Sequence, residues 1–470
     1  MAWSGAALAA VPVDTISKPQ SGVFNQVKVG YTANLEHIPV RDDKAGTAAD
    51  LVAFSYVASK APVTRPVVFI FNGGPIVPSY FLHILALGPK RLAIPDDLST
   101  PPSSFKLVDN SYSLLDVADL VFFDPAGTGY SRVTDGTKPE AMFSTDADAR
   151  QLTNLVQEWS RKHGRTASPK YLLGESYGTI RAAVAAQQIA ELKEPQNLRG
   201  VILLGQALNI VETVYRPANI VSYTASLPTL AATGWYHGKV ERRGRSFEQF
   251  MDEVRLFART DYLVALYQGS ALDVTEERRL AAKLADMTGL SAETFLASHL
   301  RISKPQYRNQ LLKADGAVLG ANDARYSGPA GKGDPADAVV PAVGTAFKQY
   351  ISATLGVPAD GDYLTESPVR GLDDWRWGAT TPFSNWPYMD NIGKAMTLLP
   401  KLKLAIGVGY QDTLTTVGAT EYAVSQSSWP ANRTHLYYYQ GGHMFYTIEA
   451  SLKRLSSDLH AMIKDAGDDH

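Results

Sequence analysis

The sequence contains no cysteine. Disulfide bonds, thiolate metal sites and cysteine nucleophiles are therefore all excluded, although the compartment is not fixed, because many exported bacterial proteins also lack cysteine. There is also no apolar run near the roughly 18 residues that a membrane-spanning helix requires. A formal net charge of −2 gives no electrostatic reason to expect nucleic acid or an anionic membrane as the main partner.

Metal-ligand and nucleotide-binding patterns are missing as well. No HExxH pattern occurs, and no other set of ligating side chains has a recognisable spacing. The glycine-rich segment Asp124–Gly129 follows a predicted strand, but it lacks the lysine that a phosphate-binding loop needs. We therefore expect neither a metal nor a cofactor, and we interpret this segment as a loop that lines a cleft.

What remains is an ordinary globular composition, with 45% apolar and 20% charged residues among 470. This length accommodates one large α/β domain with an insertion, or two domains. The run Gly5–Ala10 resembles the small-residue end of a signal peptide, without its basic start or full apolar core. Either a signal peptide was trimmed upstream or this is a plain disordered terminus; we favour a periplasmic or secreted bacterial protein.

Short apolar runs alternate with helical patterns over much of the chain. Runs that suit strands buried on both faces of a sheet lie at 66–71, 120–123, 171–173, 201–204 and 404–408. Strand, helix and strand in succession predict a mostly parallel sheet with right-handed crossovers, which is an α/β fold.

The strand-length runs stop between residues 210 and 380. Helical segments and a Gly/Asp/Pro-rich stretch at 314–340 take their place. We predict an inserted helical cap over 210–380, on a core formed by 25–209 and 381–470. Residues 1–24 are predicted to be a flexible N-terminal segment.

The stretch Gly174–Gly178 reads Gly-Glu-Ser-Tyr-Gly, after an apolar run and before a helix-compatible run. A serine between a strand and a helix, flanked by glycines that permit a sharp reversal, presents its hydroxyl at the edge of the sheet. Ser176 is thus a candidate nucleophile. Because so loose a pattern is common by chance, this interpretation depends on partners elsewhere in the chain.

A serine hydroxyl needs a base to take its proton and an acid to orient that base. His443 follows the predicted strand at 434–439 through two glycines, and Asp412 follows the strand at 404–408. Taken singly, His443 is better explained as a surface histidine and Asp412 as a turn residue. Together, at strand ends and in the order Ser176, Asp412, His443, they match the order that α/β-hydrolases use.

An oxyanion hole requires two N–H donors near the nucleophile. The N–H of Tyr177 opens the helix after Ser176, and the N–H of Gly74 follows the strand that ends at Phe71. We predict that these two groups form the hole. The alternative for Asn72–Pro75 is a simple turn at the exit of the strand.

Several segments together resemble the serine carboxypeptidases, the S10 peptidases, from about Val27 to the C-terminal helix. These segments are Asn72–Pro75, Leu115–Leu120 with Asp124–Ser131, Gly174–Gly178, Gly409–Asp412 and Gly442–Met444. The absence of cysteine resembles the bacterial branch of the family. The resemblance implies an α/β-hydrolase fold with a mostly parallel central sheet, flanking helices and an inserted helical cap. It also implies a triad of Ser176, His443 and Asp412.

The resemblance extends to substrate contacts. It implies that Gly74 and Tyr177 stabilise the oxyanion, and that Asn72, Gly73 and Glu175 contact a substrate with a terminal carboxylate. A carboxyl side chain binds a carboxylate only if the two share a proton, so this implies a preference for acidic pH.

Two departures from the family pattern concern the pocket. Where the family continues Asn-Gly-Gly-Pro with small residues, this chain has Ile76–Ser79, and the β-branched pair and proline are expected to narrow and stiffen the pocket floor. Where many members have a second glutamate, this chain has Leu85, so the carboxylate clamp is expected to be incomplete. His83 is an alternative partner, although a lone histidine in an apolar helix is more often packed.

Three hypotheses follow. The first is a serine hydrolase that cleaves peptide or amide bonds through an acyl-enzyme, as a serine-type carboxypeptidase does. The second is an esterase or acyltransferase with the same triad, and the third is a non-catalytic binding protein that kept the fold. The expected partner is a peptide or small acyl substrate, without nucleic acid or a membrane span. The sequence leaves the oligomeric state open, a homodimer included.

Overall fold

The computed structural model describes residues 14–134, 136–358, 361–378, 381 and 383–465. The strands are β1 (Ile16–Phe24), β2 (Val27–Asp42), β3 (Thr47–Ala58), β4 (Val67–Phe71), β5 (Lys90–Ala93), β6 (Lys106–Asp109), β7 (Asp119–Phe123), β8 (Arg132–Thr134), β9 (Lys170–Glu175), β10 (Leu198–Leu204), β11 (Ala317–Leu319), β12 (Ser327–Pro329), β13 (Lys403–Gly409) and β14 (Thr434–Tyr439). The α-helices are α1 (Tyr80–Leu82), α2 (Thr145–Lys162), α3 (Tyr177–Ala190), α4 (Ile210–Thr213), α5 (Ile220–Thr224), α6 (Leu227–Tyr236), α7 (Phe247–Arg259), α8 (Asp261–Gln268), α9 (Val274–Thr288), α10 (Ala292–Ala297), α11 (Lys304–Gln310), α12 (Val340–Leu355), α13 (Tyr388–Leu398), α14 (Val417–Gln426) and α15 (Glu449–Asp465).

Within these described residues, ten strands form one sheet, in the order β1-β2-β3-β7-β4-β9-β10-β13-β14, with β8 paired to β3. The strands from β7 to β14 pair in parallel, whereas β1, β2 and β3 are antiparallel to their neighbours. The prediction of a mostly parallel sheet is confirmed. Because parallel strands end at the same edge, the exits of β4, β9, β10, β13 and β14 lie side by side in that order.

The central strands are buried on both faces, which explains their continuous apolar sequences. In β4, Val68 and Ile70 pack on one face, while Phe69 and Phe71 pack on the other. Since successive side chains of a strand point to opposite faces, each face builds its own core. Helices α12 and α15 cover the first face, and α2, α3 and α13 cover the second.

The inserted region has a core of its own, which runs from Tyr223 to Ala324 and is built mainly by α5 to α11. Helix α12 also falls within the predicted insertion, yet it packs on the sheet. Its Phe347 lies in the sheet's core, and the Tyr350 hydroxyl is 2.9 Å from that of Tyr56. The predicted boundary at residue 380 therefore places a helix of the main core in the cap. Helical periodicity reveals an apolar stripe but not the surface on which it packs.

The N-terminal prediction is wrong for Ile16–Phe24. These residues form β1, which pairs with β2 along its whole length, from Ile16 opposite Leu35 to Phe24 opposite Val27. Most of the strand is polar and exposed, so backbone hydrogen bonding to β2 fixes it, with Phe24 buried at its end. Asp14 and Thr15 precede the strand without regular structure, and residues 1–13 of the predicted segment lie outside the described residues.

A buried carboxylate on β2 anchors the adjacent helix α2. Glu36 is 2% exposed and accepts hydrogen bonds from Ser55 Oγ at 2.6 Å and from Trp159 Nε1 at 2.9 Å. Lys162 Nζ and His163 Nε2 lie 2.8 and 2.9 Å from its other oxygen. Burial acts to raise the pKa of Glu36, but its bonds to His163 and Lys162 outweigh burial, and the pKa falls to about 2.

We expect Glu36→Gln to lower the free energy of unfolding by about 3 kcal/mol at neutral pH. The folded-state pKa lies below the ordinary value of 4.5, so this stabilisation is complete above pH 4.5 and disappears as the pH falls toward 2. Urea unfolding across this range should show the wild-type and variant curves converging at the acid end. Glu191→Gln, at an exposed position, is the control. A difference that stays constant with pH would contradict the ionic explanation.

Candidate active site

Ser176 lies at the turn between β9 and α3. Its φ of 57° and ψ of −129° place it in a region that side-chain-bearing residues rarely occupy. Its N–H donates to Leu204 O at 2.9 Å, which fixes the turn against β10. The residue is half-buried, whereas Glu175 before it and Tyr177 after it are buried. The strained turn therefore presents the serine side chain at the edge of the sheet, as the sequence pattern predicts.

Asp412 and His443 meet at the exits of β13 and β14. His443 Nδ1 lies 2.7 Å from Asp412 Oδ2, and their side chains are 7% and 0% exposed. Thr415 Oγ1 donates to the same carboxylate oxygen at 2.6 Å. The other oxygen accepts the N–H groups of Leu414 and Thr415 at 2.8 and 3.0 Å. Asp412 is thus both the turn residue and the partner of the imidazole, and its hydrogen bonds hold it in one orientation.

The imidazole lies over the exit of β10, the strand next to that of the serine. A Cβ atom on Gly205 would come within 2.8 Å of His443 Cε1 and 2.9 Å of Nδ1. Gly205 has a φ of 56° and directly follows Leu204, whose carbonyl binds the Ser176 N–H. Only glycine leaves room for the imidazole here. With Nδ1 on Asp412, Nε2 is the ring nitrogen left to exchange a proton with a hydroxyl.

The predicted oxyanion donors lie on the opposite side of Ser176. A Cβ atom on Gly73 would lie 2.6 Å from the backbone N of Tyr177, so the loop after β4 packs directly on the start of α3. Within the described part of the chain, neither the Gly74 N–H nor the Tyr177 N–H donates a hydrogen bond. Two backbone donors beside the serine are therefore available for an acceptor such as a carbonyl oxygen.

Glu175 belongs to a buried polar cluster that adjoins the serine. Its carboxyl group accepts hydrogen bonds from Asn72 Nδ2 and from the Tyr446 hydroxyl. Asn72 Oδ1 in turn accepts the Leu82 N–H at 3.1 Å. Burial raises the pKa of Glu175 above its ordinary value, although the charge of His443 and these two hydrogen bonds oppose the rise. The carboxyl group therefore gains protons at a higher pH than an exposed glutamate.

The charges of Asp412, Glu175 and Lys304 all shift the pKa of His443. Burial lowers it, but the charge and hydrogen bond of Asp412 raise it more strongly, and the charge of Glu175 adds to the rise. The resulting pKa is about 9, with the charge of Lys304 acting in the opposite direction. Loss of the Glu175 charge should therefore lower the pKa of His443, so that the imidazole becomes neutral at lower pH.

The positions at which the chain departs from the family pattern are buried. Leu85 is 1% exposed and packs in a core cluster of the sheet, so this position contributes no carboxyl group to a substrate clamp. His83 does not serve either: it is fully buried, stacks on Phe122 at 3.9 Å, and binds the Tyr56 hydroxyl at 2.7 Å. Burial lowers the pKa of His83 to about 3, so it is neutral at physiological pH.

Ile76 does not narrow the pocket as expected. Its side chain is fully buried in the core cluster that also contains Phe71 and Tyr177. Ile76 therefore anchors the loop after β4 to the core and does not line a pocket. Its φ of 41° is unusual for a β-branched residue. Val77 does lie near the predicted oxyanion loop, because its Cγ2 would be 2.8 Å from a Cβ atom on Gly74.

The described residues lack two features that would indicate other functions. They contain no cluster of three or more His, Asp or Glu side chains placed to hold a metal ion. None of their helices combines the length and apolarity needed to cross a membrane.

The fold has a solved counterpart in Kex1(delta)p, a prohormone-processing carboxypeptidase from Saccharomyces cerevisiae. The TM-score is 0.51 at 13% sequence identity, over 93% of this chain and 92% of the yeast protein. At this identity the likeness concerns the fold alone, and the fold is that of an α/β-hydrolase. Residues 47–241 match the Peptidase_S10 model, described as serine carboxypeptidase.

Other structural matches are more distant. A putative aryl esterase from Burkholderia cenocepacia matches with a TM-score of 0.35 at 12% identity, over 92% of this chain and all of that one. An enantioselective epoxide hydrolase mutant from Aspergillus niger matches with a TM-score of 0.35 at 13% identity, over 92% and 78% of the two chains. No curated protein matches the sequence.

The structure adds residues to the site that the sequence did not indicate. Thr415 bonds to Asp412, Tyr446 bonds to Glu175, and Gly205 makes room for the imidazole. Lys304, on α11 of the cap, donates to Leu414 O at 2.8 Å. Tyr446 follows His443 by three residues, and this closeness in sequence is the feature that could have marked Tyr446 as part of the site. Nothing in the local sequence marks Lys304, because its position depends on how the cap packs.

Proposed function

We propose that this protein is a serine hydrolase that cleaves peptide bonds near a C-terminus through an acyl-enzyme. The observation that carries this proposal is the buried cluster of Glu175, Asn72 and Tyr446 beside Ser176. A carboxyl group whose pKa burial raises, together with an amide, is suited to hold a substrate carboxylate by shared hydrogen bonds. The match of residues 47–241 to the serine carboxypeptidase model supports the same assignment.

The proposed reaction begins when Ser176 Oγ attacks the scissile carbonyl carbon and His443 Nε2 takes the hydroxyl proton. The Gly74 and Tyr177 N–H groups donate to the oxygen that becomes negative. His443 then gives its proton to the leaving amine, and an acyl-serine ester remains. Water attacks this ester with His443 as base, and the proton returns to Ser176 as the acid product leaves. Asp412 holds the imidazole and stabilises its charged form.

The test compares three matched substrates: a free-acid peptide, its C-terminal amide and an ester. We expect the free acid to be preferred at acidic pH, and the preference to fall as the pH rises through the elevated pKa of Glu175. The reason is that an ionised Glu175 repels a second carboxylate. Equal kcat/KM values for the free acid and the amide at all pH values would contradict the exopeptidase assignment.

Glu175→Gln tests the role of this carboxyl group directly. We expect the variant to lose the pH-dependent fall on the free-acid peptide, because glutamine cannot ionise. On the neutral ester, the rise of kcat/KM with pH should move to lower pH, because the Glu175 charge no longer raises the pKa of His443. Glu191→Gln, exposed after the end of α3, should alter neither profile. An unchanged ester profile in Glu175→Gln would show that Glu175 does not act on His443.

The second candidate function is an esterase or acyltransferase with the same proposed triad. It is favoured by the burial of Leu85 where a second glutamate would complete the clamp. An acyl group without a terminal carboxylate needs only the serine, the base and the oxyanion donors. A kcat/KM for the ester that exceeds the free-acid value at acidic pH, or product formed with an added alcohol, would support this function instead.

A further inference from the structure

The cap places two cations against the loop that carries Asp412. Lys304 and Arg308 lie one helical turn apart on α11, and both are half-buried. Lys304 Nζ donates to Leu414 O at 2.8 Å, and Arg308 Nη1 donates to Thr413 Oγ1 at 2.9 Å. Neither cation forms an ion pair with any carboxylate among the described residues, so the protein leaves both positive charges without a partner of opposite charge.

The nearby carboxylate does not neutralise Lys304. Both oxygens of Asp412 are taken, one by the N–H groups of Leu414 and Thr415, the other by Thr415 Oγ1 and His443 Nδ1. An ammonium group has three N–H donors, and within the described ranges only one of those on Lys304 donates to a protein atom. The two remaining N–H donors of the Lys304 ammonium group, beside the proposed catalytic residues, are therefore open to a ligand.

The order of strands at the sheet edge indicates which part of a substrate comes near Lys304. Strand β9, which leads to Ser176, lies between β4 on one side and β10 and β13 on the other. The proposed leaving side of the substrate is at Asn72 and Glu175, at the exits of β4 and β9. A chain that crosses Ser176 thus extends its acyl side toward β13, where Leu414 is 43% exposed and Lys304 bonds to its carbonyl.

We propose that Lys304 is a specificity-determining residue that binds an acidic side chain on the acyl side of the scissile bond, with Arg308 adding to the positive field. This inference rests on the proposed function, since it assigns the substrate class of the same site. Leu414 supplies an apolar surface for the methylene groups of such a side chain, and Lys304 the charged donors. Burial and the charge of Arg308 lower the pKa of Lys304, while the charge of Asp412 raises it, and the resulting pKa is about 8. Lys304 is therefore mostly charged at neutral pH.

The experiment uses the full chain and a pair of esters that differ in one group, the p-nitrophenyl esters of N-acyl-glutamate and N-acyl-glutamine. At about pH 7 we expect the wild type to prefer the glutamyl ester about tenfold in kcat/KM, the effect of one charge-assisted hydrogen bond. Lys304→Met should remove the preference by slowing the glutamyl ester more than the glutaminyl ester. Loss of the Lys304 charge also raises the pKa of His443, which affects both esters alike, so the ratio of the two rates is the readout. Lys304→Arg should retain the preference, and Lys313→Met, at an exposed lysine of the cap, should not change it.

Each failure has a separate meaning. If the wild type hydrolyses both esters and Lys304→Met leaves their ratio unchanged, the inference is wrong while the proposed hydrolase function stands. If Lys304→Met and Lys304→Arg slow both esters equally, the lysine supports the Asp412 loop and does not select the substrate, which also overturns the inference. If the wild type hydrolyses neither ester nor any peptide, the proposed function itself fails.

Discussion

Ser176→Ala is expected to lower kcat on the best substrate by a factor on the order of 10⁴ or more. The reason is that the acyl-enzyme cannot form without the hydroxyl, and the oxyanion donors alone give only a small residual rate. The alanine side chain fits the turn as the serine does, so substrate binding should change little. Initial rates and a KM comparison on the free-acid peptide measure both effects.

Labelling with a fluorophosphonate gives an independent readout of the same residue. The wild type should be labelled at Ser176, and Ser176→Ala should not be labelled. Ser425→Ala is the matched control, because Ser425 lies exposed on α14 and, among the residues that the structure describes, bonds only within its own helix. Full turnover by Ser176→Ala would refute the proposed mechanism, and a wild type that takes up no label would favour the binding-protein hypothesis.

Arg181→Met is expected to lower the free energy of unfolding by about 3–5 kcal/mol, because it breaks an ion pair with no exposure to solvent. Arg181 Nε lies 2.7 Å from Asp148 Oδ2, and both side chains are 0% exposed. Arg181 Nη1 also donates to Asn72 O at 2.7 Å, while the Tyr177 hydroxyl donates to Asp148 at 3.0 Å. The arginine thus joins the two segments that carry the predicted oxyanion donors.

Denaturant unfolding of Arg181→Met and of the double variant Arg181→Met/Asp148→Asn separates the causes of this loss of stability. In Arg181→Met the Asp148 charge is buried without compensation, and burial already raises the pKa of Asp148. Adding Asp148→Asn removes that charge but keeps an acceptor for Tyr177, so the double variant should recover part of the stability. If the double variant is less stable than Arg181→Met, uncompensated charge is not the main cause.

The sequence predicts the sheet well because its signal is local. Every residue of strands such as β4 and β7 is buried. A strand that is buried on both faces needs apolar residues throughout, so it is visible in the sequence as a continuous apolar run. Candidate site residues then follow from position, since a polar or glycine-rich turn after a buried strand lies at the sheet edge. Ser176, Asp412 and His443 were identified in this way, and their catalytic roles remain predictions for the variants above to test.

Features that depend on packing between distant segments could not be predicted. Helix α12 has an apolar stripe that suits either the cap or the sheet, and only the structure shows that it covers the sheet. The polar strand β1 has no apolar pattern, because its backbone pairing with β2 holds it in place. His83 was an open alternative for the carboxylate clamp, and its aromatic neighbours, which come from the three segments β3, β7 and α12, exclude that role.

The cap does more than cover the sheet, since one of its loops supports the proposed base. The N–H of His443 donates to Asn322 O at 2.6 Å, the Ala324 N–H donates to Gln411 O at 3.0 Å, and Thr413 Oγ1 donates to Ala321 O at 2.7 Å. Replacing this cap with that of another hydrolase, in order to widen the range of substrates, would also displace the imidazole of His443. A successful chimera must therefore transplant around residues 321–324 and leave that short segment in place.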